Sequence, residues 1–244
     1  MSRTLSLFGS RLRPCPYIPG REERNVAAEL GGPEAKEIYD AAVRAGFRRS
    51  HDIIYRPACT GCEACVPVRI RVDDFIARRS LARNARRNAD LTVNELSPPS
   101  AGTDLFDLFR RYQAGRHAGG GMDGMGLREF ESLMTISPVE TFAAEFRDAE
   151  GALVAVILAD HVQDGLSAVY SFFDPDQERE SLGTYMVLWL IERARRAGLP
   201  YVYLGYWIAR SQKMAYKARF RPLEALHPAN GWISFDPIRS ENNE

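Results

Sequence analysis

The sequence predicts an α+β fold, and three observations support that prediction. The stretch V-P-V-R-I-R-V at 66–72 alternates apolar and polar residues as a strand does, whereas 34–45 repeats its apolar residues at helical spacing. After 97–103, which contains Ser97-Pro98-Pro99-Ser100, the pattern changes to longer apolar segments. The chain has 244 residues, 45% of them hydrophobic, and can build one large or two small domains.

The N-terminal part is predicted to start as a loop and to continue with mixed elements. Prolines interrupt 1–24, so no regular element is expected there. The elements that follow are a helix at 34–45, an extended stretch at 47–57, a strand at 66–72, a basic helix at 78–89 and a strand at 91–96. We therefore predict an N-terminal domain over 1–96 that ends at a linker over 97–103.

The C-terminal domain is predicted over 104–238, with a polar tail at 239–244. Its predicted elements are helices at 104–117 and 126–135, strands at 140–147, 153–162 and 166–173, a helix at 181–197, a strand at 201–206 and a short helix through Lys213 and Lys217. The order β–β–β–α–β–α resembles the acetyltransferase (GNAT) fold. The predicted fold class is thus α+β with a GNAT-like acyltransferase domain, and a second GNAT-like lobe beside the Cys-rich N-terminal part is left open.

The GNAT resemblance implies that two neighbouring strands splay and admit an acyl donor between them. It also implies that the helix after the fourth strand of that fold, here the helix at 181–197, presents its N-terminal amides to phosphate groups of the donor. That helix contains Gly183, but Tyr185 stands where a second small residue is expected. The departure disfavours coenzyme A and suits another donor.

Four cysteines form the most unusual pattern in the chain. Cys59, Cys62 and Cys65 stand three residues apart, and Cys15 precedes them within C-P-Y-I-P-G-R. Three thiols at this spacing cannot all pair as disulfides, but with Cys15 they can converge on one zinc ion or one iron–sulfur cluster. A catalytic role for one of these thiols is a weaker alternative.

Charge and hydropathy exclude some classes of protein. The sequence has no apolar run of about 18 residues and no recognisable secretory signal, so we expect a cytoplasmic protein that binds no membrane. The 32 basic and 32 acidic residues balance, which argues against a general polyanion binder. A local arginine cluster at 69–90 can still contact RNA phosphates, although a solvated charged helix shows the same pattern.

Several long motifs resemble the arginyl-tRNA–protein transferase family, in particular its bacterial aspartate/glutamate leucyltransferase branch. The matching segments are C-P-Y at 15–17, P-G-R at 19–21, Y-D at 39–40, G-F-R-R-S-H at 46–51, Y-R-P at 55–57, C-V-P-V-R-I at 65–70, R-R-N at 86–88, D-L at 90–91, R-H at 116–117, K-M-A-Y-K at 213–217 and F-R-P at 220–222. They cover nearly the whole chain.

The resemblance implies transfer of an amino acid from a charged tRNA, leucyl-tRNA in this branch, to proteins that begin with Asp or Glu. Such transfer marks the acceptor for degradation. The ester is already activated, so positioning and charge stabilisation should supply most of the rate, and no cofactor is required for the chemistry. Eukaryotic members are associated with an iron–sulfur cluster near the cysteines. The oligomeric state is not indicated.

Candidate site residues follow from these motifs and from side-chain chemistry. The catalytic candidates are His117, Arg116 and Tyr206. The substrate-binding candidates are Tyr17, Arg48, Arg49, Tyr55, Arg56, Arg78, Phe173 and Trp207. The tRNA-binding candidates are Arg83, Arg86, Arg87, Lys213, Lys217 and Arg219. Guanidinium groups suit an acidic side chain, and Lys213 and Lys217, four apart, are expected to share a helix face.

Three other functions are consistent with the sequence. An arginyl-tRNA donor with the same fold is the nearest alternative. A coenzyme A-dependent N-acetyltransferase is the second, and a non-catalytic, metal-stabilised RNA-binding protein is the third.

Overall fold

The computed structural model describes residues 5–177 and 181–236, which form fourteen strands and six α-helices. The helices are α1 (Ala35–Arg44), α2 (Arg79–Arg87), α3 (Thr103–Arg116), α4 (Leu127–Thr135), α5 (Leu182–Arg196) and α6 (Gln212–Ala215), which a 3-10 helix (Tyr216–Arg219) continues. The strands are β1 (Phe8–Gly9), β2 (Arg13–Pro14), β3 (Glu22–Glu23), β4 (Asn25–Glu29), β5 (Arg48–Ser50), β6 (Ile53–Pro57), β7 (Val66–Arg71), β8 (Thr92–Leu96), β9 (Thr141–Arg147), β10 (Leu153–Val162), β11 (Gly165–Phe173), β12 (Tyr201–Trp207), β13 (Leu223–His227) and β14 (Gly231–Phe235).

The predicted α+β class and the predicted elements from 34 to 217 are confirmed. The structure adds the hairpin β13–β14 and the short strands β1 to β4, which the sequence prediction missed. The predicted tail at 239–244 lies outside the described residues. No helix within the described ranges combines the length and apolar character needed to cross a membrane.

One eight-stranded sheet forms the centre of the protein. Its strand order is β14-β13-β7-β12-β11-β10-β9-β8, and every neighbouring pair is antiparallel except β11 and β12. Strand β7 lies between β13 and β12, and β8 pairs with β9. Strands from both sides of the predicted linker thus share one sheet, so the prediction of separate domains at 97–103 is wrong. The alternative of two GNAT-like lobes is not supported either.

Helices cover both faces of this sheet because its central strands are apolar on both sides. In β10, alternate residues point to opposite faces: Ala155 and Ile157 pack against α2 and α5, whereas Val156 and Leu158 pack against α3 and α4. Such double-sided burial explains the nearly continuous apolar run of β10.

The N-terminal residues build a second, four-stranded sheet with the order β1-β4-β6-β5. Its buried residues pack with those of α1 against Val162 and Tyr203 of the large sheet. The buried ion pair between Arg49 of β5 and Asp160 of β10 also joins the two sheets. These contacts hold the β5–β6 hairpin beside the centre of the large sheet.

Candidate active site

The central cavity opens where β11 and β12 separate. The two strands pair in parallel only over Gly165–Ser167 and Tyr201–Tyr203. Beyond that point each strand shifts register against its outer neighbour, at Leu158/Ala159 opposite β11 and at Tyr203/Gly205 in β12. Such irregularities release backbone groups and re-aim side chains. The predicted splay is therefore confirmed by the pairing pattern.

Segments from both halves of the chain line this cavity, whose volume is about 490 Å³. They come from the splayed strands, the β5–β6 hairpin, the end of α3 with the glycine loop that follows it, and the α6 segment. The lining side chains include Tyr17, Arg48, Tyr55, Tyr112, Gln113, His117, Tyr170, Tyr206, Lys213, Met214, Tyr216 and Lys217. Among the described residues that line the cavity there is no aspartate or glutamate.

Arg48 lies at the mouth of the splay. Its Nη2 donates to the Val169 carbonyl at 2.9 Å, and its buried Nη1 finds no hydrogen-bond partner within the described residues. Gly205 makes room for this guanidinium: it has φ +71°, and a Cβ there would lie 2.7 Å from Arg48 Nε. A buried donor without a protein partner is rare, and a water molecule or a bound ligand can complete it.

Arg49 corrects one prediction, because its guanidinium is fully engaged within the protein. Its Nε and Nη2 donate to the two carboxylate oxygens of Asp160 at 2.7 and 2.6 Å, and Nη1 donates to the His51 carbonyl at 2.6 Å. The two side chains are 1% and 0% exposed. Arg49 thus positions the hairpin, and the prediction that it binds substrate is wrong.

Lys217 corrects a second prediction, because it faces the cavity and is 7% exposed. Its Nζ donates to the Tyr206 carbonyl at 2.6 Å and to Met214 Sδ at 3.5 Å. Burial, with a further contribution from the charge of Arg48, lowers the pKa of Lys217 to about 7. The predicted contact of Lys217 with tRNA phosphate at the surface is therefore wrong.

His117 lies between two other polar side chains of the cavity wall. Its Nε2 is 3.1 Å from Tyr112 Oη, and its Nδ1 is 3.1 Å from Lys213 Nζ. Burial lowers the pKa of His117, and the charges of Lys213 and Arg116 lower it further, so the neutral ring is favoured. Both ring nitrogens are engaged, which does not support the predicted role as a general base.

Tyr206 and Trp207 end β12 in different surroundings. Tyr206 lines the cavity, but its hydroxyl donates to the carbonyls of Gly46 and Tyr55 at 3.0 and 3.3 Å. Its one proton is committed to the backbone, which does not support a catalytic role. Trp207 is a core residue that packs edge-on against Phe235, so the prediction that it binds substrate is wrong.

The remaining substrate and catalytic candidates divide into cavity and non-cavity residues. Tyr17 and Tyr55 line the cavity, and burial raises the pKa of Tyr17 to about 12. Phe173 lies one layer behind, with its ring against Tyr112, and Arg116 is exposed with its guanidinium 5.5 Å from the centre of the Phe173 ring. The exposed Arg56 and Arg78 lie away from the cavity, and Arg56 donates to the Ala45 carbonyl.

The arginine-rich helix α2 turns a basic face outward. Leu81, Asn84 and Asn88 are buried towards the core, whereas the arginines of the other face are exposed. The tRNA-binding candidates found on exposed surface are Arg83, Arg86, Arg87, Lys213 and Arg219. The exposed arginines of α2 are not among the residues that line the cavity.

The four cysteines are reduced and partly buried, and they lie close enough for their charges to interact. Burial, and the neighbouring Cys15, Cys59 and Cys62, raise the pKa of Cys65 to about 12. Cys59 Sγ contacts the backbone nitrogen and carbonyl oxygen of Arg24. Across the described ranges, no three Cys, His, Asp or Glu side chains are arranged around a common metal position. The metal site remains a prediction from the donor chemistry.

Several cavity residues were missed from the sequence. Tyr112 lies in a helix whose apolar stripe indicated core packing, and Gln113 donates to Tyr170 Oη at 2.6 Å. Both tyrosines read as ordinary core residues of a helix and a strand. The one available signal was the polar pair Tyr112-Gln113 in the otherwise apolar face of α3.

Comparison with known proteins finds matches over most of the chain. Two family models match, described as arginine-tRNA-protein transferase N terminus, over residues 13–83, and C terminus, over residues 104–227. A protein of Paramagnetospirillum magneticum named aspartate/glutamate leucyltransferase is 55% identical over 97% of this chain and 96% of its own length.

A protein of the same name from Rhodospirillum rubrum is 48% identical over 97% of this chain and 96% of its own length. Among solved structures, L-PGS from Bacillus licheniformis matches with a TM-score of 0.46 and 11% identity, covering 60% of this chain and 46% of that one.

Proposed function

Because the chain belongs to the arginine-tRNA–protein transferase family, we propose that it transfers leucine from leucyl-tRNA to proteins that begin with Asp or Glu. An aminoacyl-tRNA donor and a protein acceptor follow from the family. The name of the similar proteins supports leucine as the donor amino acid and Asp or Glu as the acceptor residue. An arginyl donor is the alternative, and the transfer would mark the acceptor for degradation in the cytoplasm.

The reaction needs a cavity that brings an amine to an ester. The acceptor's α-amine attacks the ester carbonyl of the charged tRNA, a C–N bond forms, and the bond to the ribose oxygen breaks. An α-amine with its ordinary pKa of about 7.7–8 is partly neutral at physiological pH, so the protein's main task is positioning. The gap between β11 and β12 supplies a cleft for the aminoacyl end.

The unpaired Nη1 of Arg48 is the observation that carries the acceptor assignment. A guanidinium donates in a fork that matches a carboxylate. The Val169 carbonyl fixes one arm of the fork at 2.9 Å, which leaves the other arm for a ligand. We assign Arg48 to the side-chain carboxylate of an N-terminal Asp or Glu.

The charge of the cavity supports this assignment. Arg48 and Lys217 both face it, and the described lining residues include no carboxylate to neutralise them. Burial lowers the pKa of Lys217, and the positive charge of Arg48 lowers it further. A bound carboxylate would relieve this repulsion, so an acidic acceptor gains binding free energy that a neutral acceptor does not.

The donor tRNA is assigned to exposed basic residues. Arginines on the outer face of α2, together with Arg219, offer phosphate contacts without facing the cavity. The proposed transfer uses only side chains of this protein, and a metal at the cysteines takes no part in it.

Replacement of Arg48 tests the acceptor assignment. We expect Arg48→Met to lower kcat/KM about 10- to 150-fold for an Asp-initiated peptide, the value of one hydrogen bond to a charged group. An Asn-initiated peptide should lose little, because it has no carboxylate to bind. Arg56→Met is the matched control, since Arg56 belongs to the same hairpin but does not line the cavity. Equal losses for the Asp and Asn peptides would contradict the assignment.

A further inference from the structure

Three polar side chains of the cavity wall form a continuous chain. Lys213 of α6 contacts His117, which follows α3, and His117 contacts Tyr112 on the last turns of that helix. Both distances are 3.1 Å, and all three residues line the cavity. Rings support the arrangement: Tyr112 packs against the His117 ring at 5.1 Å and against Phe173 at 4.9 Å between centroids.

The direction of the hydrogen bonds follows from donor chemistry. A lysine ammonium has donors and no acceptor, so His117 Nδ1 must accept from Lys213. In a neutral imidazole the other nitrogen then carries the proton, so Nε2–H donates to Tyr112 Oη. The phenol oxygen accepts this bond, and the phenol proton remains available to a further acceptor.

We propose that Tyr112 is a catalytic residue that donates its phenol proton in a hydrogen bond to the carbonyl oxygen of the aminoacyl ester, with His117 and Lys213 as its positioning residues. The inference rests on the proposed function. It replaces the predicted role of His117 as a base with an electrostatic role for its neighbour. Negative charge that develops on the carbonyl oxygen is met by a donor already held in place.

Two properties of the site suit a donor at this position. Burial raises the pKa of Tyr112, with Arg116 acting in the opposite direction, so the phenol keeps its proton at neutral pH. The described lining residues offer no carboxylate that would compete for that proton. A donation from the ammonium through the imidazole also polarises the phenol.

The transfer needs no reactant other than the acceptor amine and the aminoacyl ester. The acceptor amine forms the C–N bond, the carbonyl oxygen carries the negative charge in the tetrahedral intermediate, and the C–O bond to the ribose then breaks. The proton lost by the amine ends on the ribose hydroxyl. Tyr112 keeps its own proton throughout.

Tyr112→Phe tests the catalytic role, because it keeps the ring contacts and removes only the hydroxyl. We expect kcat for leucine transfer to fall about 100-fold, the scale of one lost oxyanion donor, with KM and leucyl-tRNA binding unchanged. Tyr201→Phe is the matched control: it removes the hydroxyl of a tyrosine that does not line the cavity, and it should keep a kcat near that of the wild type.

A double-mutant cycle, measured with saturating leucyl-tRNA, tests the positioning role of Lys213. Lys213→Met should lower kcat in the wild type but add nothing in the Tyr112→Phe background, and Lys213→Arg should restore kcat. Additive losses, equal losses in the two tyrosine variants, or an unchanged kcat in Tyr112→Phe would each overturn the inference. A wild-type protein that transfers no amino acid would instead refute the proposed function.

Discussion

Replacement of the buried Lys217 by methionine should change how stability depends on pH. The pKa of Lys217 is lowered from 10.5 to about 7, so between these values the unfolded chain binds a proton that the folded chain does not. The stability of the wild type therefore rises with pH across this window, by up to about 1.4 kcal/mol per unit. Lys217→Met removes that dependence.

The size of the effect follows from the two pKa values. Burial of Lys217 costs the wild type about 4 kcal/mol at pH 7 and about 2 kcal/mol at pH 9. The free energy of unfolding of Lys217→Met minus that of the wild type should thus fall by about 2 kcal/mol between these pH values. Loss of the hydrogen bond to the Tyr206 carbonyl changes this difference equally at pH 7 and at pH 9. Only the change of the difference with pH therefore reports the titration of Lys217.

Urea unfolding at constant ionic strength, from pH 7 to pH 9, measures this difference. Met186→Leu is the matched control: it replaces a buried methionine of the core and removes neither a titrating group nor a hydrogen bond to Lys217. The gap between Met186→Leu and the wild type should be the same at every pH. Parallel curves for Lys217→Met and the wild type would refute the account of a buried, readily deprotonated lysine.

Asp160→Ala should cost about 3–5 kcal/mol of unfolding free energy, because it leaves the buried Arg49 without its partner; a loss below 1 kcal/mol in urea would contradict the pairing. Arg86→Ala should weaken tRNA binding and reduce the salt slope by about one, and an unchanged slope would place that side chain away from phosphate. Cys59→Ala should lose the zinc or iron bound to the wild type in metal analysis, whereas a wild type free of both would refute the predicted site.

Much of the fold could be predicted because its apolar patterns are local. The stripe of α1 and the continuous run of β10 specify those elements without reference to the rest of the chain. The strands β1 to β3 have two residues each and no pattern to detect. The hairpin β13–β14 was detectable, since Asn230-Gly231 is a strong turn signal and Gly231 has φ +68°.

The candidate site was only partly predictable because distant residues decide which charges are free. Arg48 and Arg49 are neighbours in one motif. Of these two arginines, only Arg49 is paired with Asp160, which lies 111 residues further along the chain. Lys213 and Lys217 were expected on one helix face. Both line the cavity, but the chain tightens from α6 into a 3-10 helix at Tyr216, and Lys217 is buried there whereas Lys213 is exposed.

Sheet topology also explains why the linker was misjudged. A Pro-rich stretch after β8 has the composition of a domain boundary, but composition does not reveal where a strand pairs. Strand β7 inserts between β12 and β13, which begin 135 and 157 residues after the start of β7. Long-range pairing of this kind joins the N-terminal and C-terminal parts of the chain in one sheet.

Amino-acid transfer with defined donors and acceptors tests the central proposal most directly. Purified protein would be incubated with radiolabelled leucyl-tRNA or arginyl-tRNA and with peptides that begin with Asp, Glu or Ala. We predict that leucine appears on the Asp and Glu peptides and not on the Ala peptide, and that arginine appears on none. Transfer of arginine to the acidic peptides, or of neither amino acid to any peptide, would contradict the proposed function.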